Sequence, residues 1–223
     1  MGFQHEKLLL VEGPDDKAVI SALVKRYGIE CGDRNENQTV TIKTLEGLGK
    51  LKEKVSVEFK DSSVKTIGIV LDADKNPDNR WQSIRNCLTE RYQNLPKSLP
   101  QDGLIHPGDK KVGVWIMPNN QEAGMLETFL QFSLPDGNEK LWAFTEQCCK
   151  QAKEQGAPFR ECHADKAKIH TWLAWQDPPG KQLYTAVTKR IFDSTSPQAR
   201  IFMQWFQKLF EVATTGKAGE PTS

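Results

Sequence analysis

The chain opens on an apolar run, Lys7 to Val11, that stops at Glu12-Gly13-Pro14. Ala18, Val19, Ala22 and Leu23 then recur at helical spacing within Asp15 to Tyr27, so the pattern predicts strand, turn, helix. Val40 and Ile42 alternate with Thr39, Thr41 and Lys43 as a second strand, and Leu45 to Phe59 carries a lysine-rich helical pattern. A third strand runs from Val64 through Ile67, Ile69, Val70 and Leu71 and halts at Asp72-Ala73-Asp74. Its unbroken apolar character predicts burial on both faces, as in a parallel sheet. Trp81, Ile84, Cys87, Leu88 and Tyr92 share one helical face after the Asn76-Pro77-Asp78 turn. Asn94 to Lys111, rich in Pro, Gly and charge, reads as a loop. Val112, Val114 and Ile116 then alternate into a fourth strand that ends at Pro118-Asn119-Asn120. From Gly124 onward strand signals stop, and helices are expected over Met125 to Phe132, Glu139 to Gln155, Asp165 to Trp175, Leu183 to Phe192 and Pro197 to Ala213.

Strands alternating with helices define an α/β class: a mostly parallel four-stranded sheet flanked by helices, with a C-terminal helical region. The expected organisation is an α/β core over residues 1–135, a helical region packed on it over 136–213 and a flexible, small-residue tail over 214–223. At 223 residues with 38% hydrophobic and 26% charged side chains, the chain is long enough and apolar enough to bury a core. The net charge of +1 supplies no overall pull toward a polyanion, so any site for one must be local. Residues 1–139 hold 18 basic and 21 acidic side chains against 12 and 8 in residues 140–223, which leaves the first part acidic and the second mildly basic. No apolar run approaches the roughly 20 residues a membrane span needs, and a cytoplasmic location is expected. Five cysteines without zinc-ligand spacing are expected to be reduced and mostly buried.

The informative pattern is where the acids fall. Glu12 follows strand one, Asp72 and Asp74 follow strand three, and Glu127 follows strand four and its loop. Ligands bind at the carboxyl edge of open α/β sheets, because loops and helix starts converge there. If strand geometry persists through Asp74, Asp72 and Asp74 point to one face and Ala73 to the other. Two carboxylates about 4 Å apart repel by about 4 kcal/mol at an effective dielectric near 20, so such a pair calls for a proton or a cation. Carboxylate oxygens suit Mg²⁺ or Mn²⁺. Asp16 lies four residues beyond Glu12, in the first turn of the following helix, whereas Asp15 is accounted for by the helix dipole alone.

Leu9-Leu10-Val11-Glu12-Gly13-Pro14-Asp15-Asp16 followed by Val70-Leu71-Asp72-Ala73-Asp74 resembles the TOPRIM domain. That Rossmann-like domain is shared by type IA and II topoisomerases, bacterial primases, certain RNA-maturation nucleases and the overcoming-lysogenization-defect (OLD) nucleases. With Pro118-Asn119-Asn120 and Gly124-Met125-Leu126-Glu127, the pattern also resembles small standalone bacterial TOPRIM proteins without an assigned role. The TOPRIM likeness covers about residues 5–132. It implies Glu12 as a metal ligand or general acid/base, Asp72 and Asp74 as the metal-binding DxD, and Asp16 and Glu127 as further acidic ligands. It further implies Lys166, with Lys168 as second choice, near the transferred phosphate. Met125 departs from the small polar residue often found there in the nucleases.

The expected activity is Mg²⁺-dependent phosphodiester hydrolysis of nucleic acid, DNA or RNA, with Mn²⁺ as an alternative metal. No zinc-binding segment or gate-sized second domain accompanies the site, and Tyr27, Tyr92 and Tyr184 sit in ordinary amphipathic stretches, so water is the expected nucleophile. The competing expectation is a catalytically silent metal- or nucleotide-binding module that serves a protein partner such as a separate ATPase. A third is purely structural, with solvated acids. The six tryptophans are expected in the core, Asn119 and Asn120 as turn formers, and Lys50, Lys52, Lys54 and Lys60 on a solvated face interleaved with Glu46, Glu53 and Glu58.

Overall fold

The structure is a computed structural model that describes residues 6–32, 39–45 and 47–213. The expected tail over 214–223 and Glu46 lie outside the described residues. In chain order the elements are β1 (Lys7–Val11), α1 (Pro14–Lys25), β2 (Cys31–Gly32), β3 (Val40–Thr44), α2 (Leu51–Lys60), β4 (Thr66–Asp72), α3 (Pro77–Leu88), β5 (Leu104–His106) and β6 (Lys111–Met117). Helices α4 (Leu126–Gln131), α5 (Glu139–Glu154), α6 (Ala164–Ala174), α7 (Leu183–Thr188) and α8 (Pro197–Phe210) follow.

The strands form one sheet in the order β2-β3-β1-β4-β6-β5, all parallel except the antiparallel β5 against β6. The four expected strands are its centre, and two short strands extend its edges. β2 has two residues and β5 three, inside the stretch expected as loop, too short for alternation to register in the sequence.

Side chains alternate across the central strands and build a core on each face. Leu9, Val11, Val70, Trp115 and Met117 face α1, α4, α6, α7 and α8, and Leu8, Leu10, Ile69, Leu71, Val114 and Ile116 face α2 and α3. The C-terminal helices therefore bury their apolar stripe against the sheet itself. Phe202, Phe206 and Phe210 on α8 are fully enclosed, and Phe202 meets Trp115 edge-on with ring centres 5.3 Å apart. Close approach of α8 is possible because Gly68 of β4 and Gly113 of β6 are paired in register beneath it. A Cβ on Gly113 would stand 2.5 Å from Leu209, and one on Gly68 would stand 2.9 Å from Phe210.

Two expectations about individual side chains are corrected. Trp175 is 42% exposed, because it ends α6 and stacks on the exposed Phe144 of α5 instead of entering a core. Of the five cysteines only Cys149 is buried, and Cys162 is exposed on the short turn before α6. Asn119 and Asn120 are turn formers. The Asn119 side chain accepts from the backbone N–H of Gln121 and Glu122, and the left-handed Asn120 (φ 66°) accepts from Ile116 N–H. The lysine-rich face of α2 is solvated except at Glu58, which is buried and paired with Lys43 of β3 at 2.7 Å.

Candidate functional site

β1, β4 and β6 end at the same rim of the sheet. Val11 pairs with Val70 and Asp72 with Met117, so Glu12, one residue past β1, stands beside Asp72 at the end of β4. Glu12 Oε2 accepts the backbone N–H of Asp72 at 3.4 Å. The chain leaving β6 returns to the rim as α4, whose first N–H, Leu126, donates to Asp72 Oδ1 at 3.0 Å. A carboxylate at that N-terminus is favoured by the unpaired amides.

Asp16 enters from α1. The backbone turns sharply at Gly13, Pro14 fixes the first helical residue, and Asp16 reaches back so that its Oδ2 accepts the Gly13 N–H at 2.9 Å. This buries Asp16 to 8% exposure, whereas Asp15 remains solvent-exposed. Glu127, in the first turn of α4, is 2% exposed and is met by Lys166 Nζ of α6 at 3.2 Å. Lys168 turns aside to Asp165 at 3.1 Å and Glu146 at 3.9 Å.

The two aspartates of Asp72-Ala73-Asp74 do not continue the strand's alternation. Ala73 points into the core under α3, but Asp74 adopts a left-handed backbone (φ 53°) and swings outward, where Arg80 of α3 pairs with it. Gly124 fixes this turn by exchanging two backbone hydrogen bonds with Asp74, of 2.9 and 2.8 Å. Its φ of +142° suits glycine, and a Cβ there would stand 2.6 Å from Thr128 Oγ1. Thr128 in turn donates to Asp165 at 2.6 Å, which ties α4 to α6 behind the rim.

The electrostatics follow from this crowding. Burial, then the charges of Asp16, Glu12, Glu127 and Asp74, push the Asp72 carboxyl well above the usual range. Burial also raises Asp16 to about 6, assisted by Glu12 and Glu127 and opposed by the Gly13 N–H. Glu12 is raised by burial as well, with the Arg80 guanidinium pulling the other way. Burial works against the Lys166 ammonium, yet Glu127 outweighs it and holds the lysine above its ordinary value.

Thus Glu12, Asp16, Asp72 and Glu127 share one electrostatic neighbourhood, with Asp74 on its outer side. As they stand, no three His, Cys, Asp or Glu side chains among the described residues are drawn together closely enough to cage a metal. Each carboxylate is engaged by a backbone N–H or by a cation. Sequence reasoning missed Arg80 and Asp165, and it quoted Gly124 only within a motif, without its role at the Asp74 turn. Arg80 left one signal, a basic residue one turn into a helix opening just after the DxD.

The fold and rim define an α/β protein with an acid-lined carboxyl edge. Residues 6–211 match the family described as "Protein of unknown function (DUF3226)", and the chain belongs to that family. No curated protein matches it. Among solved structures, the C-terminal region of the Xanthomonas campestris pv. campestris OLD protein, phased with mercury, is similar at 10% identity. The similarity covers 94% of this chain and 98% of that one at a TM-score of 0.42. Among the described residues, no helix is long and apolar enough to cross a membrane.

Proposed function

We propose that the chain is a divalent-cation-dependent phosphodiesterase of nucleic acid with a TOPRIM-type acid site. One observation carries this reading: acids from three separate segments, Glu12 and Asp16, Asp72 and Asp74, and Glu127, lie at the carboxyl edge of three parallel strands, where burial and neighbouring negative charge raise the Glu12, Asp16 and Asp72 carboxyls. The donor set fits Mg²⁺ or Mn²⁺, which take carboxylate oxygens and would offset the crowded negative charge. Glu12, Asp72 and Asp74 would hold the cation, with Asp16 and Glu127 as additional ligands.

The bound cation would polarise the phosphoryl oxygen and make the attacking water more acidic. The chain's own groups do the rest. The water oxygen bonds to phosphorus, its proton passes to the Glu12 carboxylate, and the P–O ester bond breaks with the leaving oxygen taking a proton from solvent. Lys166, partly exposed beside Glu127, offers positive charge to the phosphoryl oxygens as negative charge grows on them.

The test is incubation of purified protein with single- and double-stranded DNA and RNA and Mg²⁺ or Mn²⁺. Cleavage lost in Asp72→Ala is expected. No cleavage of any substrate, or cleavage unchanged in Asp72→Ala, refutes the reading.

The ion pairs Asp74–Arg80 and Glu127–Lys166 favour a second reading, a silent module whose acids are satisfied by the chain's own cations and which acts through a partner such as a separate ATPase. Calorimetric binding to such a partner that survives Glu12→Gln, without turnover, would favour it.

A further inference from the structure

Beside Asp74 lies an open groove of about 940 Å³, bounded on one side by the start of α3 and on the other by the segments around Met125 and Ala164. That is far more space than an ion requires and is within the range of roughly 300–1,000 Å³ common for small-molecule sites. Its two walls differ. Arg80, Lys75 and Asn79 offer hydrogen-bond donors on the α3 side, whereas Met125, Cys162 and Ala164 line the opposite side together with the acids Glu161 and Asp165.

Arg80 is unusual among these residues. Its side chain is only 12% exposed, one terminal nitrogen pairs with Asp74, and its Nε is enclosed with no hydrogen-bond partner. A guanidinium presents parallel N–H groups that match two oxygens of one acceptor. Here one terminal nitrogen is engaged by a half-exposed carboxylate and Nε is left over. A resting contact that leaves a buried donor unpaired is readily exchanged for one that satisfies both groups.

We infer that Arg80 is a phosphate-positioning residue parked on Asp74, and that it moves to a phosphoryl group of a nucleotide lying in the groove when a divalent cation takes over Asp74. The inference rests on the phosphodiesterase reading. It adds an order of events: the cation and the arginine compete for Asp74 in the resting protein, and the nucleotide and the cation assist each other once both are present. The nucleotide's phosphate would lie between Arg80 and the acid rim, and its sugar and base would lie along the Met125–Ala164 wall.

The experiment measures two affinities by calorimetry on the full chain, with no turnover required. One is for Mn²⁺ alone, and the other is for a phosphorothioate-linked thymidine dinucleotide at saturating Mn²⁺. Arg80→Gln frees Asp74, so Mn²⁺ should bind several-fold more tightly, whereas the dinucleotide should bind at least about tenfold more weakly. Arg80→Lys keeps a cation on Asp74 but lacks the two-pronged geometry, so it should leave Mn²⁺ binding near the wild-type value and still weaken the dinucleotide. It also serves if Arg80→Gln does not fold. A merely structural arginine would weaken both ligands together in Arg80→Gln, and that outcome overturns the inference, as does binding of either ligand unchanged in Arg80→Gln or dinucleotide binding unchanged in Arg80→Lys. A wild-type chain that binds no Mn²⁺ refutes the phosphodiesterase reading itself. Mn²⁺ binding that is indifferent to residue 80 refutes only the role of Arg80.

Discussion

Replacing Asp16 by Asn should stabilise the metal-free protein at neutral pH, which few substitutions of a buried hydrogen-bonded residue do. The unfolded chain titrates Asp16 near 3.8 and the folded chain near 6, because burial and then the neighbouring carboxylates penalise the ionised form. Below the lower value both states carry the proton. Between the two values the unfolded chain releases it first, so stability falls as pH rises through this window and stays low above it. At about 1.4 kcal/mol per pH unit, the loss is about 3 kcal/mol. Asparagine keeps an oxygen for the Gly13 N–H and carries no charge, but it forfeits the favourable placement of an anion in the first turn of α1, worth about 0.3–1 kcal/mol. A net gain of about 2 kcal/mol corresponds to a melting temperature higher by about 4–8 °C for a chain of this size. Scanning calorimetry in chelator at about pH 5 and about pH 7.5 reads both the gain and its pH dependence. A variant that melts at or below the wild-type temperature at the higher pH, or a wild-type slope that persists in the variant, would show that Asp16 bears no electrostatic strain.

Three further outcomes follow from the same rim and core. Mg²⁺ or Mn²⁺ at a hundredfold excess over its dissociation constant should stabilise the wild-type chain by about 2.7 kcal/mol, and a thermal melt should show that gain abolished in Asp72→Asn. Lys166→Met should cost about 1–3 kcal/mol by leaving the enclosed Glu127 unpaired, and chemical denaturation should find most of that cost recovered in Lys166→Met/Glu127→Gln. Gly113→Ala should cost about 1–3 kcal/mol through the clash with Leu209, read as a lower denaturant midpoint, while the sheet's far-UV signal persists.

Much of this architecture is legible in the pattern of apolar residues. β4 announces itself because burial on both faces leaves only apolar side chains and Gly68 from Ile67 to Leu71. The placement of Glu12, Asp72 and Glu127 at one rim follows from parallel topology, since successive parallel strands all end on the same side. What the chain order conceals is geometry decided by contacts between distant segments. The left-handed turn at Asp74 depends on Gly124, fifty residues later, and nothing local to Asp72-Ala73-Asp74 signals that alternation fails there. The pairing of Arg80 with Asp74 depends in turn on that failure. Trp175 misleads for a different reason: a tryptophan at a helix end is apolar whether it enters a core or lies on Phe144, and periodicity cannot distinguish the two.

The seating of α8 in the dent formed by Gly68 and Gly113 also bears on biosynthesis. Strands β4 and β6 are complete by Met117, but the helix that covers their shared face begins only at Pro197. During translation the dent over Gly68 and Gly113 therefore stays uncovered until α8 emerges, long after the strands, which makes that interval a time of exposure to aggregation. For anyone transplanting the acidic rim into another scaffold, a cut at the end of the strands would discard the lid that closes the interior, and the excised piece should carry the chain through Phe210.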